Sequence, residues 1–349
     1  MIFESQVCTL FLEELKLDEE ALHMNVILKQ PFEDSSAWNA KTFANDESWI
    51  YRLAPHDIEE LHQAMLMAKS TGKTINQLTV TDFPLSNFSK NVADFKNELE
   101  DGRGFLLLRG LPIENYDEQE INIIYYGIGL HLGQPVTQNG NGDLLGQVMN
   151  TGDINDKNTR VYQTNLYLPY HTDPSDVVGL LCVRQAKEGG LSSLVSVPSV
   201  YNILLKEFPE YIGLFYKQWY YAHLGEDLPS PTSLFAMHEG KLNFRYLRQY
   251  IELGHEIRKA PLSDVEREAL DILDSIIMRP ELRIDMMLEP GDIQLANNHL
   301  VLHSRTSFVD HDDINERRKL LRLWLKMSNA RTPPASFPGR NGFGFPNIL

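Results

Sequence analysis

The sequence predicts a mainly β fold with added helices, of the barrel or jelly-roll kind. Three observations lead there. From Gly104 onward the chain carries short apolar segments separated by Gly and Pro turns. A helical insertion, over about 200–280, divides those segments into two groups. No regular alternation of strand and helix is visible, which argues against doubly wound and eight-fold α/β folds.

Taken in order, residues 1–103 read as a helical N-terminal region. Residues 57–70 place Ile58, Leu61, Met65 and Met67 near one side with acids in the first turn, and residues 86–101 form a second helix closed by Gly102. Phe105-Leu-Leu-Leu-Arg109 is a buried strand ended by Gly110 and Pro112. Residues 115–132 form a helix with Ile121, Ile124, Tyr125, Ile128 and Leu132 at helical spacing, ended by Gly133. The polar stretch from Gln138 to Asp143 is a loop, suited to a lid or a substrate contact as well as to plain surface. Strands follow at 177–183 and 194–197, with a Gly189-Gly190 turn before the latter. Helices are expected at 200–219 and 263–278, the latter behind the capping box Ser263-Asp-Val-Glu266. Strands return at 282–288 and 293–296 around Pro290-Gly291, and at 319–326. The boundaries drawn are a single domain over 1–349, with the β core at 104–331 and an irregular arm at 332–349.

Composition narrows the function. The formal charge is −16, with 32 Lys+Arg against 48 Asp+Glu and no basic run, a poor match to nucleic acid or an anionic membrane. Cys8 and Cys182 are the only cysteines, too few for a disulfide framework or a four-thiolate zinc site. No signal peptide is visible and no apolar run approaches the roughly 20 residues of a membrane span. A cytoplasmic protein with reduced thiols is expected.

The chemistry-bearing residues fall in three places. In Pro169-Tyr-His171-Thr-Asp173, an imidazole and a carboxylate two apart on a strand would face the same side, two thirds of a 2-His-1-carboxylate set for non-haem iron. A similar triplet, His311-Asp312-Asp313, lies among charged residues and reads as a solvated loop. The third ligand has two candidates: His303, at the end of an apolar stretch, and His299, which follows two asparagines and reads as structural. Arg318 and Arg322 share one face of an otherwise apolar strand, either for bidentate carboxylate recognition or for internal ion pairs. Gln163, Asn165 and Tyr167 alternate before His171 and are candidates for the pocket wall; Trp219, Tyr220 and Tyr221 are candidates for core or pocket wall.

These pieces together resemble the TauD/TfdA-like branch of the Fe(II)/2-oxoglutarate-dependent dioxygenases, which includes the clavaminate synthase-like enzymes. The motifs stand in family order: Gly104-Phe-Leu-Leu-Leu-Arg-Gly110, His171-Thr-Asp173, Gly189-Gly-Leu-Ser192, Pro290-Gly-Asp292, His303-Ser-Arg-Thr-Ser-Phe308, then Arg318-x-x-x-Arg322 leading into Leu323-Trp-Leu325. The resemblance implies a double-stranded β-helix (jelly-roll) core. It implies that His171, Asp173 and His303 ligate Fe(II), that Arg318 binds the distal carboxylate of 2-oxoglutarate with help from Ser192, and that Arg322 meets an anionic group of the substrate. With O2 as cosubstrate, 2-oxoglutarate would be converted to succinate and CO2 as a C–H bond of the substrate is oxidised. Halogenating relatives lack the carboxylate that Asp173 supplies, so hydroxylation is the expected outcome, with desaturation and ring formation as alternatives. A small anionic amino acid or derivative is the expected substrate. Two other classes are weighed against this: a zinc hydrolase on the same three ligands and a non-catalytic binding protein on the same fold. The N-terminal helices would suit a homodimer interface, a lid or a brace.

Overall fold

A computed structural model describes residues 27–139, 141–152, 161–222, 229–334 and 337. Two antiparallel sheets face each other. The larger runs, in spatial order, through Ile50–Arg52, Phe105–Arg109, Ile293–Asn297, Val177–Arg184, Lys319–Met327 and Gly133–Pro135, with Leu145–Met149 also on Lys319–Met327; only its first pair is parallel. The smaller runs Arg283–Met286, Ser192–Ser196, Val301–Arg305 and Leu168–His171. This is the jelly-roll core.

Strand alternation divides the apolar residues into layers. Phe105, Leu107, Val178, Leu320 and Trp324 of the larger sheet meet Leu194, Ile284 and Met286 of the smaller one between the sheets. Leu106, Leu108, Leu321, Leu323 and Leu325 point out of the larger sheet. They pack on the helices Pro55–Ser70, Phe88–Glu100 and Glu118–Leu132. Val195 and Leu302 point out of the smaller sheet and join the insertion, which contributes Tyr201, Phe215, Trp219 and Phe244.

Two motifs are joined by one ion pair. Arg109, at the end of its strand, donates Nε to Asp292 Oδ1 at 3.0 Å and Nη2 to Oδ2 at 2.7 Å. The turn before Asp292 requires glycine, because Gly291 has φ +89° and a Cβ there would stand 2.0 Å from the Leu111 carbonyl oxygen.

Some boundaries differ from expectation. The helix expected from residue 115 begins at Glu118, because Asp117 accepts from Glu120 N at 2.8 Å and caps it. The helix expected over 200–219 is Val197–Glu207 followed by the short Ile212–Tyr216. Pro209 ends the first helix, and Trp219 lies in a strand, Gln218–Tyr221, with an exposed-buried alternation. That strand pairs with Ser230–Ser233, and a second hairpin joins Phe235–His238 to Lys241–Phe244, so the insertion carries two hairpins beside its helices. The strand Ile50–Arg52 lies inside the region read as helical. Residues 1–26, with Cys8 among them, and residues 335, 336 and 338–349 of the arm lie outside the described residues. Cys182 is a buried free thiol, with burial pushing its pKa up to about 12.

Candidate active site

The smaller sheet ends in the site. His171 is the last residue of its strand, directly opposite His303 in the neighbouring strand. Asp173 falls just past the strand rather than on it, in a turn that is held at both ends. Asn298 Oδ1 accepts from Asp173 N at 2.8 Å, and Arg245 Nη1 donates to Asp173 O at 2.9 Å. The turn, not the alternation of a strand, therefore brings the carboxylate beside the imidazole.

His171, Asp173 and His303 each present a ligand atom within 4.8 Å of the other two, and all three are buried. Nε2 of His171 lies 3.9 Å from Asp173 Oδ1, and Nε2 of His303 lies 3.5 Å from Oδ2. The two rings are 4.2 Å apart between centroids. His171 Nδ1 donates to the Pro169 carbonyl at 2.8 Å, which leaves Nε2 with its lone pair toward the carboxylate. Burial, and then His303 beside it, push the His171 pKa down to about 4, so the ring is neutral at pH 7. Burial alone would raise Asp173, but the hydrogen bond to His303 and the charge of Arg322 overcome it and hold the carboxyl well below the usual range. Neutral His171, the Asp173 carboxylate, and the His303 imidazole, whose Nδ1 is buried and has no hydrogen-bond partner among the described residues, fit a divalent non-haem iron.

The three residues sit in a cavity of about 360 Å³ between the sheets. Leu320, Arg322 and Trp324 line it from one face of Lys319–Met327, and Arg318 lines it from just before that strand. Arg317 is turned away, donating to the backbone carbonyls of His311 (3.3 Å) and Asn150 (3.1 Å). Ser192, directly opposite Arg305, lines the same cavity. Arg318 is 4% exposed and its Nη1 has no partner among the described residues. Arg322 lies between Trp324 and Tyr162, 4.5 and 4.7 Å from their centroids.

Other expectations come out differently. Gln163, Asn165 and Tyr167 do not line the cavity: the first two lend backbone carbonyls to Thr151 and Phe308, and the Tyr167 hydroxyl points at the Met278 sulfur, 3.5 Å away. Gln138 is not part of a lid. It is buried, accepts from Arg322 Nε at 2.8 Å, and donates to the carbonyls of Arg322 and Leu144 at 2.6 and 2.9 Å. His299 is buried behind the site, 3.9 Å from Asp176, and accepts from Phe244 N at 3.4 Å. His311 belongs to an exposed loop, 3.8 Å from Glu316. Of the aromatic cluster, Trp219 is core and Tyr221 reaches the cavity. Two buried arginines were not singled out as site residues. Arg305 stands two residues past His303 on an inward-facing strand, so period-two reading could have found it. Arg245 follows a hairpin strand for which the sequence offered no signal.

The comparisons agree with this geometry. The family model described as taurine catabolism dioxygenase TauD, TfdA family, matches residues 68–324. The chain is 36% identical over 320 residues to FR-33289 synthase of Streptomyces rubellomurinus (strain ATCC 31215), covering 89% of this chain and 94% of that protein. It is 27% identical over 314 residues to the taurine hydroxylase-like protein SAT17 of Stachybotrys chartarum (strain CBS 109288 / IBT 7711), covering 86% and 81%. Among solved structures, an asparagine oxygenase with Fe(II), 2S,3S-3-hydroxyasparagine and succinate aligns with a TM-score of 0.64 at 18% identity, covering 80% of this chain and 93% of that one. The non-heme iron oxygenase OrfP with Fe and alpha-ketoglutaric acid aligns at 0.59 and 16%, covering 79% and 94%. The chain belongs to the TauD/TfdA family and is a non-haem iron, 2-oxoglutarate-dependent dioxygenase.

Proposed function

We propose that this enzyme hydroxylates a small anionic metabolite, an amino acid or a derivative of one. In this reading His171, Asp173 and His303 hold Fe(II), Arg318 and Ser192 hold the distal carboxylate of 2-oxoglutarate, and Arg322 holds an acidic group of the substrate. The observation that carries it is the convergence of the three buried donors at a cavity whose walls present buried guanidiniums. The relatives point the same way: one solved neighbour holds a hydroxylated asparagine, and OrfP is also known with (3S)-hydroxy-L-Arg.

Bound Fe(II) with 2-oxoglutarate and O2 supplies the oxidising power, releasing succinate and CO2 as one oxygen atom enters the substrate. The chain supplies placement. Asp173 is the one carboxylate among the three donors, with a neutral His171 beside it, so a divalent cation held there would retain positive charge for an acidic cosubstrate. Arg318 is desolvated, with its pKa lowered by burial, and an anion there meets a stronger field than it would in water. Arg322 is fixed by two aromatic faces and by Gln138, so its remaining N–H edge has one orientation toward the cavity. An acid bound on that edge would set which carbon lies near the iron, the orientation on which the outcome depends. Leu320, Leu180 and Val148 keep the remaining wall apolar and exclude water.

The test is an anaerobic titration of metal-free protein with Fe(II) and then 2-oxoglutarate. A saturable visible charge-transfer band is expected. Succinate release then screens free amino acids and their acidic derivatives, with dependence on Arg322 as the mark of a true substrate. Absence of the band from folded, metal-loaded protein would sink the proposed cosubstrate site.

A further inference from the structure

The strand that carries His303 turns another charged side chain into the cavity. Arg305 is 4% exposed. Its Nη2 donates to the carbonyls of Thr164, at 3.1 Å, and Leu166. Its Nε and Nη1 have no hydrogen-bond partner among the described residues, and neither does Nη1 of Arg318. Both guanidiniums lie over the ring of Phe308, 4.7 Å (Arg305) and 5.3 Å (Arg318) from its centroid. Two like charges buried together, with unused N–H groups on both, form a costly arrangement unless an anion completes it.

Local charge says how much anion is missing. Asp310 contributes one negative charge: its Oδ1 accepts from the Arg318 backbone N at 2.8 Å, and both arginines feel it. Two guanidiniums and one carboxylate leave one positive charge, which a single carboxylate neutralises. The position fits as well. Arg305 is paired across the sheet with Ser192, and both line the cavity with Arg318. Arg322, four residues beyond Arg318, has its own partners in Gln138, Tyr162 and Trp324.

We infer that Arg305 is a further cosubstrate-binding residue, which grips the distal carboxylate of 2-oxoglutarate together with Arg318 and Ser192. The inference rests on the cosubstrate site proposed above. Arg305 thereby makes the enzyme select 2-oxo acids that end in a carboxylate. It would hold that carboxylate in a two-guanidinium clamp backed by the Phe308 ring.

The test is a cycle between the residue and the ligand group it is said to touch. Fe(II)-loaded wild type, Arg305→Met and Arg305→Lys are titrated anaerobically, by calorimetry, with 2-oxoglutarate and with 2-oxovalerate, a five-carbon 2-oxo acid lacking the distal carboxylate. Arg305→Met is expected to bind 2-oxoglutarate about 30-fold more weakly, the scale for removing one partner of a buried charged hydrogen bond. Its affinity for 2-oxovalerate should stay within about threefold of wild type, which also reports an intact fold and metal site. Arg305→Lys should recover part of the loss. Equal losses for both acids would overturn the inference and leave Arg305 as a brace for the Thr164 and Leu166 carbonyls; no loss for either would overturn it too. If iron-loaded wild type binds neither acid, the cosubstrate reading itself has failed, a different result from failure of the Arg305 clamp.

Discussion

At the scale of single residues, the site depends on three buried donors, with His171 held neutral and Asp173 held ionised. His171→Ala, Asp173→Ala and His303→Ala should each weaken Fe(II) binding by more than about 100-fold, since loss of an outer partner of a ligand alone costs 10–100-fold. His299→Ala and His311→Ala should bind Fe(II) as wild type does; anaerobic calorimetry with Fe(II) measures both sets. Loss of iron binding in His299→Ala with retention in His303→Ala would refute the ligand assignment. Acid should act on the metal-free protein through the same residues. The folded His171 pKa is about 4 against an ordinary 6.5, so between these values the unfolded chain binds more protons. The neutral ring's contribution is present above pH 6.5 and is lost as the pH falls toward 4. Asp173, held low, adds a further loss below its ordinary 3.8. Urea unfolding at pH 7, 5.5 and 4.5 should therefore show a steeper decline for wild type than for His171→Gln. Parallel declines would count against a neutral buried His171.

At the scale of elements, the strand Lys319–Met327 has two jobs. Leu321, Leu323 and Leu325 bind it to the outer helices, while Arg318, Arg322 and Trp324, on or just before it, face the cavity. Period-two alternation made this division readable. The cost of burying Arg322 is met by Gln138, which the sequence placed only in a polar loop. Gln138→Leu should remove the acceptor for Arg322 Nε and leave the Arg322 carbonyl without that donor. A loss of about 1–3 kcal/mol in urea unfolding is expected, the scale of a buried group left unpaired. Affinity for 2-oxoglutarate should be unchanged, because Gln138 touches neither Arg318 nor Ser192. A fall in that affinity would mean that Gln138 and Arg322 also support the Arg318 site.

At the scale of the whole molecule, the N-terminal helices are tied to the end of the core by a buried ion pair. Arg331 Nε lies 3.1 Å from Glu100 Oε1, both side chains being 2% exposed, and Lys241 of the insertion reaches the same oxygen at 2.9 Å. Arg331 also donates to the Leu242 carbonyl, so helix, insertion and C-terminal segment meet at one carboxylate. Glu100→Ala leaves a buried guanidinium without its partner and should cost about 3–5 kcal/mol of unfolding free energy. A variant that keeps wild-type stability would show that solvent reaches the pair. Of the three roles open to the N-terminal helices, these contacts support the brace.

The sequence by itself determined the types of donor, their order along the chain, the strand alternation and the paired arginines on one face. These are local properties: a period of two, a turn at Pro290-Gly291, a histidine and an acid two residues apart. Only the tertiary structure decided which distant histidine meets that pair. His303 does so because Val301–Arg305 is hydrogen-bonded beside Leu168–His171, a pairing no local pattern encodes, whereas His299 lies before that strand and packs against Asp176. It also decided that Gln138 serves Arg322 and that Val161, Tyr162 and Arg245, rather than Gln163 and Tyr167, complete the wall. Polar residues carry no signal of which partner they will find. A buried hydrogen bond is specified by the neighbour that folding brings within about 3 Å, and that neighbour is usually far away in sequence.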